Sequence, residues 1–265
     1  MNCTLPTSTS TNGDLDHQRR LYERGFYSRN RWRWVWRDDC RYRRRRLKEV
    51  LKELDFDPKH KRILDVGFGT GDLLFTFPLS CTLLGVELSP DAVWAIEADS
   101  RIRAYRGHDF QVAHSDGTPP LPDEPVDLIL TSHVLEHVPD DIEFLKHLAR
   151  GLKPGGLMVN FVPVEPEGFD PKHVRTYTAD SLARKMESVG MRLVHCEHNY
   201  HINTAPMRWL DHPARFEWPV LSALEGLRHV ILTPIPYEIT RKAEEVLAEL
   251  GASPMQALVV GRMVD

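Results

Sequence analysis

The chain has 265 residues, 42% of them hydrophobic and 27% charged, with a formal net charge of -4. That length buries one sizeable core, and the composition is that of a globular protein rather than a disordered or fibrous one. The slightly negative balance excludes a global attraction to nucleic acid or anionic membrane, and no apolar run approaches the roughly 18 residues of a membrane span.

Met1–Gly13 is rich in Thr and Ser and lacks the cationic start and apolar centre of a signal peptide, so residues 1–13 are expected to be a disordered tail. The four cysteines (Cys3, Cys40, Cys81, Cys196) are scattered, with no Cys-x-x-Cys pair, which suits a reducing cytoplasm. Residues 14–57 form a distinct zone with twelve arginines between Arg19 and Arg46 and Trp32, Trp34 and Trp36 interleaved. Basic residues with aromatics can bind nucleic acid. Here Asp14, Asp16, Glu23, Asp38 and Asp39 dilute the charge, so the zone is read as a helical lid whose aromatics, Tyr27 and Trp36 among them, cover a substrate. Within it, Leu47, Val50, Leu51 and Leu54 form an amphipathic stripe over Tyr42–Leu54, closed by Asp57-Pro58.

Residues 58–265 alternate strand and helix signals. Strands are predicted at Arg62–Val66, Thr82–Leu88, Asp109–His114, Val126–Ser132, Gly156–Val162, Met191–His198 and Gln256–Val264, and helices at Gly71–Phe77, Pro90–Ala98, Asp140–Leu152 and Thr178–Val189. Short apolar strands alternating with helices imply an α/β fold, a doubly wound and mostly parallel seven-stranded sheet. Residues 199–254 interrupt it before the last strand. This insertion carries a predicted helix at Glu238–Leu250 and is too long for a plain loop.

The chemistry concentrates at predicted strand ends. Ile63–Leu74 places Asp65 two residues before Gly67, followed by Gly69 and Gly71. A dinucleotide fingerprint would need glycine where Asp72 stands, so the loop suits a ligand with an amino group and no pyrophosphate. Glu87, twenty residues after Gly67, ends the second strand, where an acid accepts ribose hydroxyls. Asp116-Gly117 follows the third strand, and His133 ends the fourth. Asp65, Glu87, Asp116 and His133 therefore converge on one crevice.

On these stretches, together with Leu84–Pro90, Val126–Pro139 and Leu152–Gly156, the chain resembles class I S-adenosylmethionine-dependent methyltransferases of the small-molecule type sometimes called type 11. The resemblance implies a Rossmann-like methyltransferase fold with S-adenosyl-L-methionine as cofactor. Asp65, Gly67, Phe68, Gly69 and Gly71 would hold its methionine part, Glu87 and Leu88 its ribose, and Asp116 and Gly117 its adenine, with His133 against the cofactor. The expected acceptor is a small biosynthetic metabolite, methylated on oxygen ahead of nitrogen.

His137 is the candidate base, since a histidine titrates near pH 6.5. His173 is a second catalytic candidate, and Arg175 and Tyr177 are candidates for substrate contact. His133, Glu136 and His137 formally match the inverted zincin pattern, but a strand end and Pro139 deny them one helix face, so no metal is expected there. His195 and His198 on one strand point to opposite faces. The chain lacks Asn/Asp-Pro-Pro-Tyr and Pro-Cys segments, which lowers a nucleic-acid substrate. Two alternatives stay open: an RNA- or protein-modifying enzyme that docks through the arginines, and a module that binds S-adenosylmethionine without turning it over.

Overall fold

The structure is a computed structural model that describes residue 27, residues 37–203 and residues 218–264. The predicted tail, Trp36 and most of the tryptophan-rich zone lie outside the described residues. Seven strands form one sheet in the order β3-β2-β1-β4-β5-β7-β6. They are β1 (Arg62–Val66), β2 (Thr82–Glu87), β3 (Gly107–Val112), β4 (Val126–Ser132), β5 (Leu152–Pro163), β6 (Met191–Asn199) and β7 (Gln256–Met263). β1 pairs parallel with both β2 and β4, and β7 runs antiparallel between β5 and β6. The chain reverses its direction of travel across the sheet between β1 and β4, and there ligands bind in open α/β sheets.

Both faces of the sheet are covered, which is why its central strands read as continuous apolar runs. Ile63, Leu128, Leu130, Leu157, Val159 and Phe161 face one core, shared with α1 (Asp38–Glu53) and α2 (Pro90–Glu97). Leu64, Val66, Ile129, Met158 and Val162 alternate with them and face a second core against α3 (Asp141–Ala149) and α4 (Ala179–Ser188). Each fully buried Leu or Ile contributes on the order of 1.5–3 kcal/mol. Helix starts follow local chemistry. Ser89 caps α2 by accepting from the Ala92 amide, Asp140 caps α3 through Glu143, and Thr178 with Ser181 closes a reciprocal box on α4.

Three expectations change. The predicted helix at Gly71–Phe77 is one 3₁₀ turn, Leu74–Thr76. The segment between Gly71 and Pro78 is too short to repay helix nucleation, and Pro78 holds Phe77 in an extended conformation. The zone before residue 57, expected as a helical lid, also builds the core in its described part: Leu47, Val50 and Leu51 of α1 are buried there. The insertion carries two helices, α5 (Pro219–Leu232) and α6 (Tyr237–Glu249). α5 is inverted, with Glu225 and Arg228 buried while Val220, Leu227, Val230 and Ile231 are exposed.

Ion pairs tie α1 to the sheet and to the insertion. Arg46, itself buried, donates to Glu197 at 2.8 and 2.6 Å and to Glu49 and Glu53. Arg37 meets Glu225 at 3.2 Å, and Asp38 accepts from His229 and Tyr200. Burial works to raise the Glu197 pKa, but the Arg46 guanidinium wins and holds it far below the usual range.

Arg46→Met leaves Glu197 without its counter-charge, and breaking such a pair costs about 3–5 kcal/mol. Urea unfolding at pH 7 is expected to show that loss. A carboxylate depressed in the folded state contributes stability above its unfolded pKa of 4.5 and loses it as pH falls. The gap between wild type and variant should therefore narrow below that pH; an unchanged gap at acid pH contradicts the assignment.

Candidate active site

The carboxyl ends of β1, β2 and β4 build the site. After β1 the chain turns through Gly67, Gly69 and Gly71, with φ of 75°, 54° and 72°, a left-handed conformation that disfavours side chains. Space excludes them as well. A Cβ on Gly67 would lie 2.3 Å from Val134 Cγ2, and one on Gly71 would lie 2.2 Å from Ile96 Cδ1. The loop is thus clamped between the end of β4 and α2, with its backbone left bare. Tyr27 lies over it, its ring 3.4 Å from where a Gly69 Cβ would sit, and its own amide donates to Asp91 at 3.0 Å.

Asp65 is 1% exposed, and its Oδ1 has no hydrogen-bond partner. Burial, with Asp72 and Glu87 adding repulsion, pushes its pKa well above the carboxylate range. Glu87 is also buried, but it is well served. Oε2 accepts from the Gly69 amide at 2.8 Å, and Oε1 accepts from Leu88 at 2.7 Å and Ser89 at 3.4 Å. Burial still prevails over these amides and raises its pKa. A carboxylate offers about four acceptor positions, so Glu87 keeps about one open. Accepting two further donors would require it to release one of these amides.

The Ala113 amide donates to the Glu87 carbonyl at 2.9 Å, setting the His114–Thr118 turn beside Glu87. Asp116 sits on that turn in solvent, its Oδ1 accepting from Thr118 at 2.9 Å, and Gly117 has φ 85°. Leu88 is half-buried against the second core. Phe68 departs from expectation: its ring packs edge-on against Phe110 at 5.4 Å in the first core, so only its backbone borders the crevice.

β4 ends at His133, which adopts φ 57°. Arg43 of α1 donates to its Nε2 at 2.9 Å. Since a guanidinium only donates, the neutral His133 ring carries its proton on Nδ1, 3.4 Å from Glu136 Oε1. Glu136 and His137 follow on a 3₁₀ turn, Leu135–His137. The loop after β5 folds back onto this turn. The Val174 amide donates to the Glu136 carbonyl at 2.8 Å, and His137 Nδ1 meets the Lys172 carbonyl at 3.3 Å.

His137 and His173 consequently stand edge to face, ring centroids 4.8 Å apart. His173 Nδ1 pairs with Glu165. Burial lowers the His137 pKa; for His173 burial acts the same way, but Glu165 and neighbouring carboxylates leave it raised. Arg175 is committed to protein: it donates to the carbonyls of Val138 at 2.7 Å and Pro139 at 2.5 Å and meets Asp141 at 3.1 Å. Tyr177 is 3% exposed and donates to Asp141 at 2.5 Å. Both are fasteners of the loop that carries His173. Sequence reasoning missed Arg43, whose partner His133 lies 90 residues along the chain, and Glu165, which pairs with His173; it noted Glu136 only within the inverted zincin pattern.

A cavity of about 30 Å³ lies between α1 and the insertion, walled by Arg41, Tyr42, Tyr200 and Tyr237. It has room for only one or two waters.

The family model for a methyltransferase domain matches residues 40–196. Over 102 residues the chain is 36% identical to Ubiquinone biosynthesis O-methyltransferase of Bradyrhizobium sp. (strain ORS 278), covering 37% of this chain and 38% of that one. Over 115 residues it is 32% identical to Ubiquinone/menaquinone biosynthesis C-methyltransferase UbiE of Geotalea daltonii, covering 42% and 48%. The chain thus spans less than half the length of these curated relatives. Among solved structures, coclaurine N-methyltransferase bound to N-methylheliamine and SAH shares the fold, with a TM-score of 0.54 at 16% identity over 81% of this chain and 69% of that one.

Gly67→Ala combines left-handed strain of about 1–2 kcal/mol with overpacking of about 1–3 kcal/mol against Val134. Urea unfolding should register a loss in that combined range, and adding Val134→Ala should recover the packing part only. Full recovery, or none, contradicts the clamp.

Proposed function

Since the chain belongs to the methyltransferase-domain family of class I S-adenosylmethionine-dependent enzymes, we propose that it methylates a small-molecule acceptor on oxygen or nitrogen. The residues present fit the cofactor. Asp65 Oδ1 is buried without a partner beside a bare glycine loop, which suits an ammonium group, and Glu87 keeps acceptor capacity at the end of β2. The proposed holders are Asp65 and the Gly67–Gly71 backbone for the methionine part, Glu87 and Leu88 for the ribose, Asp116 and Gly117 for the adenine, and His133 at the rim. Bound there, S-adenosylmethionine supplies a methyl already activated on a sulfonium.

The chain's own task is then placement and exclusion of water, and positioning alone contributes on the order of 7–11 kcal/mol in favourable cases. Tyr27 over Gly69, with α1 packed beside β4, closes the cofactor side. His137 and His173 are the proposed catalytic groups that meet the accepting atom and its proton. In balance, the methyl would pass from sulfur to the acceptor's oxygen or nitrogen, the sulfonium would leave as a neutral thioether, and the acceptor's proton would go to a histidine or to water.

One observation carries the small-molecule reading: three of the six described arginines of the docking-arm alternative are spent inside the protein, although Arg45 stays exposed. Arg37 meets Asp39 and Glu225, Arg43 meets His133 and Asp39, and Arg46 meets three glutamates. A phosphate backbone would have to break these pairs. The quinone-pathway relatives lend support to a small acceptor without identifying it.

Glu87→Ala should weaken S-adenosylhomocysteine binding about 10- to 100-fold in titration calorimetry, the worth of a charge-assisted hydrogen bond. Unchanged affinity contradicts the ribose assignment. Transfer of labelled methyl to phenolic and amine metabolites, and none to RNA or protein, is the expected outcome of an acceptor panel; the reverse pattern overturns the reading.

A further inference from the structure

Glu136 is 1% exposed, and neither of its carboxylate oxygens has a hydrogen-bond partner. The Nδ1 atom of His133 lies 3.4 Å from its Oε1. A buried carboxylate without hydrogen bonds is costly unless a cation answers it.

Two imidazoles flank it. One donor atom each from Glu136, His137 and His173 lies within 4.8 Å of the other two. In both rings Nδ1 is already engaged, by the Lys172 carbonyl for His137 and by the Glu165 carboxylate for His173. A carbonyl only accepts, so the His137 proton sits on Nδ1 and its Nε2 offers a lone pair. This is how metal-ligating histidines are held, the distal nitrogen fixed by a carbonyl or carboxylate while the other binds. The loop that makes the arrangement is fastened by Val174 and Arg175, which gives Arg175 its purpose.

We propose that Glu136, His137 and His173 bind one divalent transition-metal cation. Two imidazoles and one carboxylate suit zinc, manganese or iron(II) and leave coordination positions open. Metal–ligand bonds of about 2.0–2.2 Å set donors at most about 4.4 Å apart, so small side-chain rotations close the site. The second such group, Asp38, Asp39 and His229, is a poorer candidate. Its carboxylates are already met by Tyr200, His229, Arg37 and Arg43. The cation's role, which rests on the methyl-transfer reading, is to hold the acceptor's heteroatom in an open position; with the ion bound, His137 and His173 are its ligands and the acceptor's proton passes to water, while without it they meet that proton themselves.

The test uses full-length protein stripped with EDTA and titrated with Co²⁺, followed by visible absorption, then displaced with Zn²⁺. One equivalent with ligand-field bands is expected. Glu136→Gln and His173→Ala should weaken binding at least 10-fold, and Glu165→Gln, which removes only the orienting carboxylate, about 10- to 100-fold. His229→Ala should bind as wild type does. Circular dichroism and S-adenosylhomocysteine affinity report whether each variant folds. Absence of saturable Co²⁺ binding by wild type, or wild-type affinity in Glu136→Gln and His173→Ala, overturns the site. Retained S-adenosylhomocysteine binding in that event leaves the methyl-transfer reading standing.

Discussion

Burying a carboxylate costs several kcal/mol unless something positive or protic meets it, and one edge of this sheet buries three. Asp65, Glu87 and Glu136 are each under 8% exposed, and they are answered unequally. Glu87 has three backbone amides, Asp65 has an orphaned oxygen, and Glu136 has two. Asp72 Oδ2, in the same glycine loop, is likewise without a partner, whereas Asp141 is met by Tyr177, Arg175 and Lys185. The incomplete pair at the switch point is therefore the feature that asks for external positive charge.

The rest of the architecture keeps those acids in place. Parallel pairing of β1 with β2 and β4 brings the glycine loop, Glu87 and His133 to one edge. Val134 and Ile96 clamp the loop. Arg43 reaches from α1 to His133, so the helix before the sheet takes part in the site while its Leu47 and Val50 build the core. The core and the proposed site share α1, through Leu47 and Val50 for the first and Arg43 for the second.

Much of this was legible because it is local. Apolar runs of five to seven residues bounded by Gly, Pro or Asp marked the strands, and the acid at the end of β2 marked Glu87, which the structure places against the Gly69 amide. What resisted was long-range or ambiguous chemistry. An arginine suits a ligand's carboxylate or a row of backbone carbonyls equally well, and Arg175 serves the second. Tyr177 was read as a substrate contact because nothing near it in sequence announces Asp141. Glu136, His137 and His173 gather only when the loop after β5 folds back, a closure that no spacing rule encodes. α5 escaped notice because its apolar residues face outward and its buried side is charged, the opposite of an ordinary amphipathic helix.

The central claim is that Asp65 awaits a cation. Because burial raises its pKa, binding an ammonium-bearing ligand should ionise it and expel a proton. Calorimetry of S-adenosylmethionine binding at pH 6, where the ligand's amine is already charged, should therefore show heats that vary with the buffer's ionisation enthalpy in the sense of proton release. Asp65→Asn should abolish that dependence. Binding with buffer-independent heat in the wild type, or no binding at all, would contradict the account.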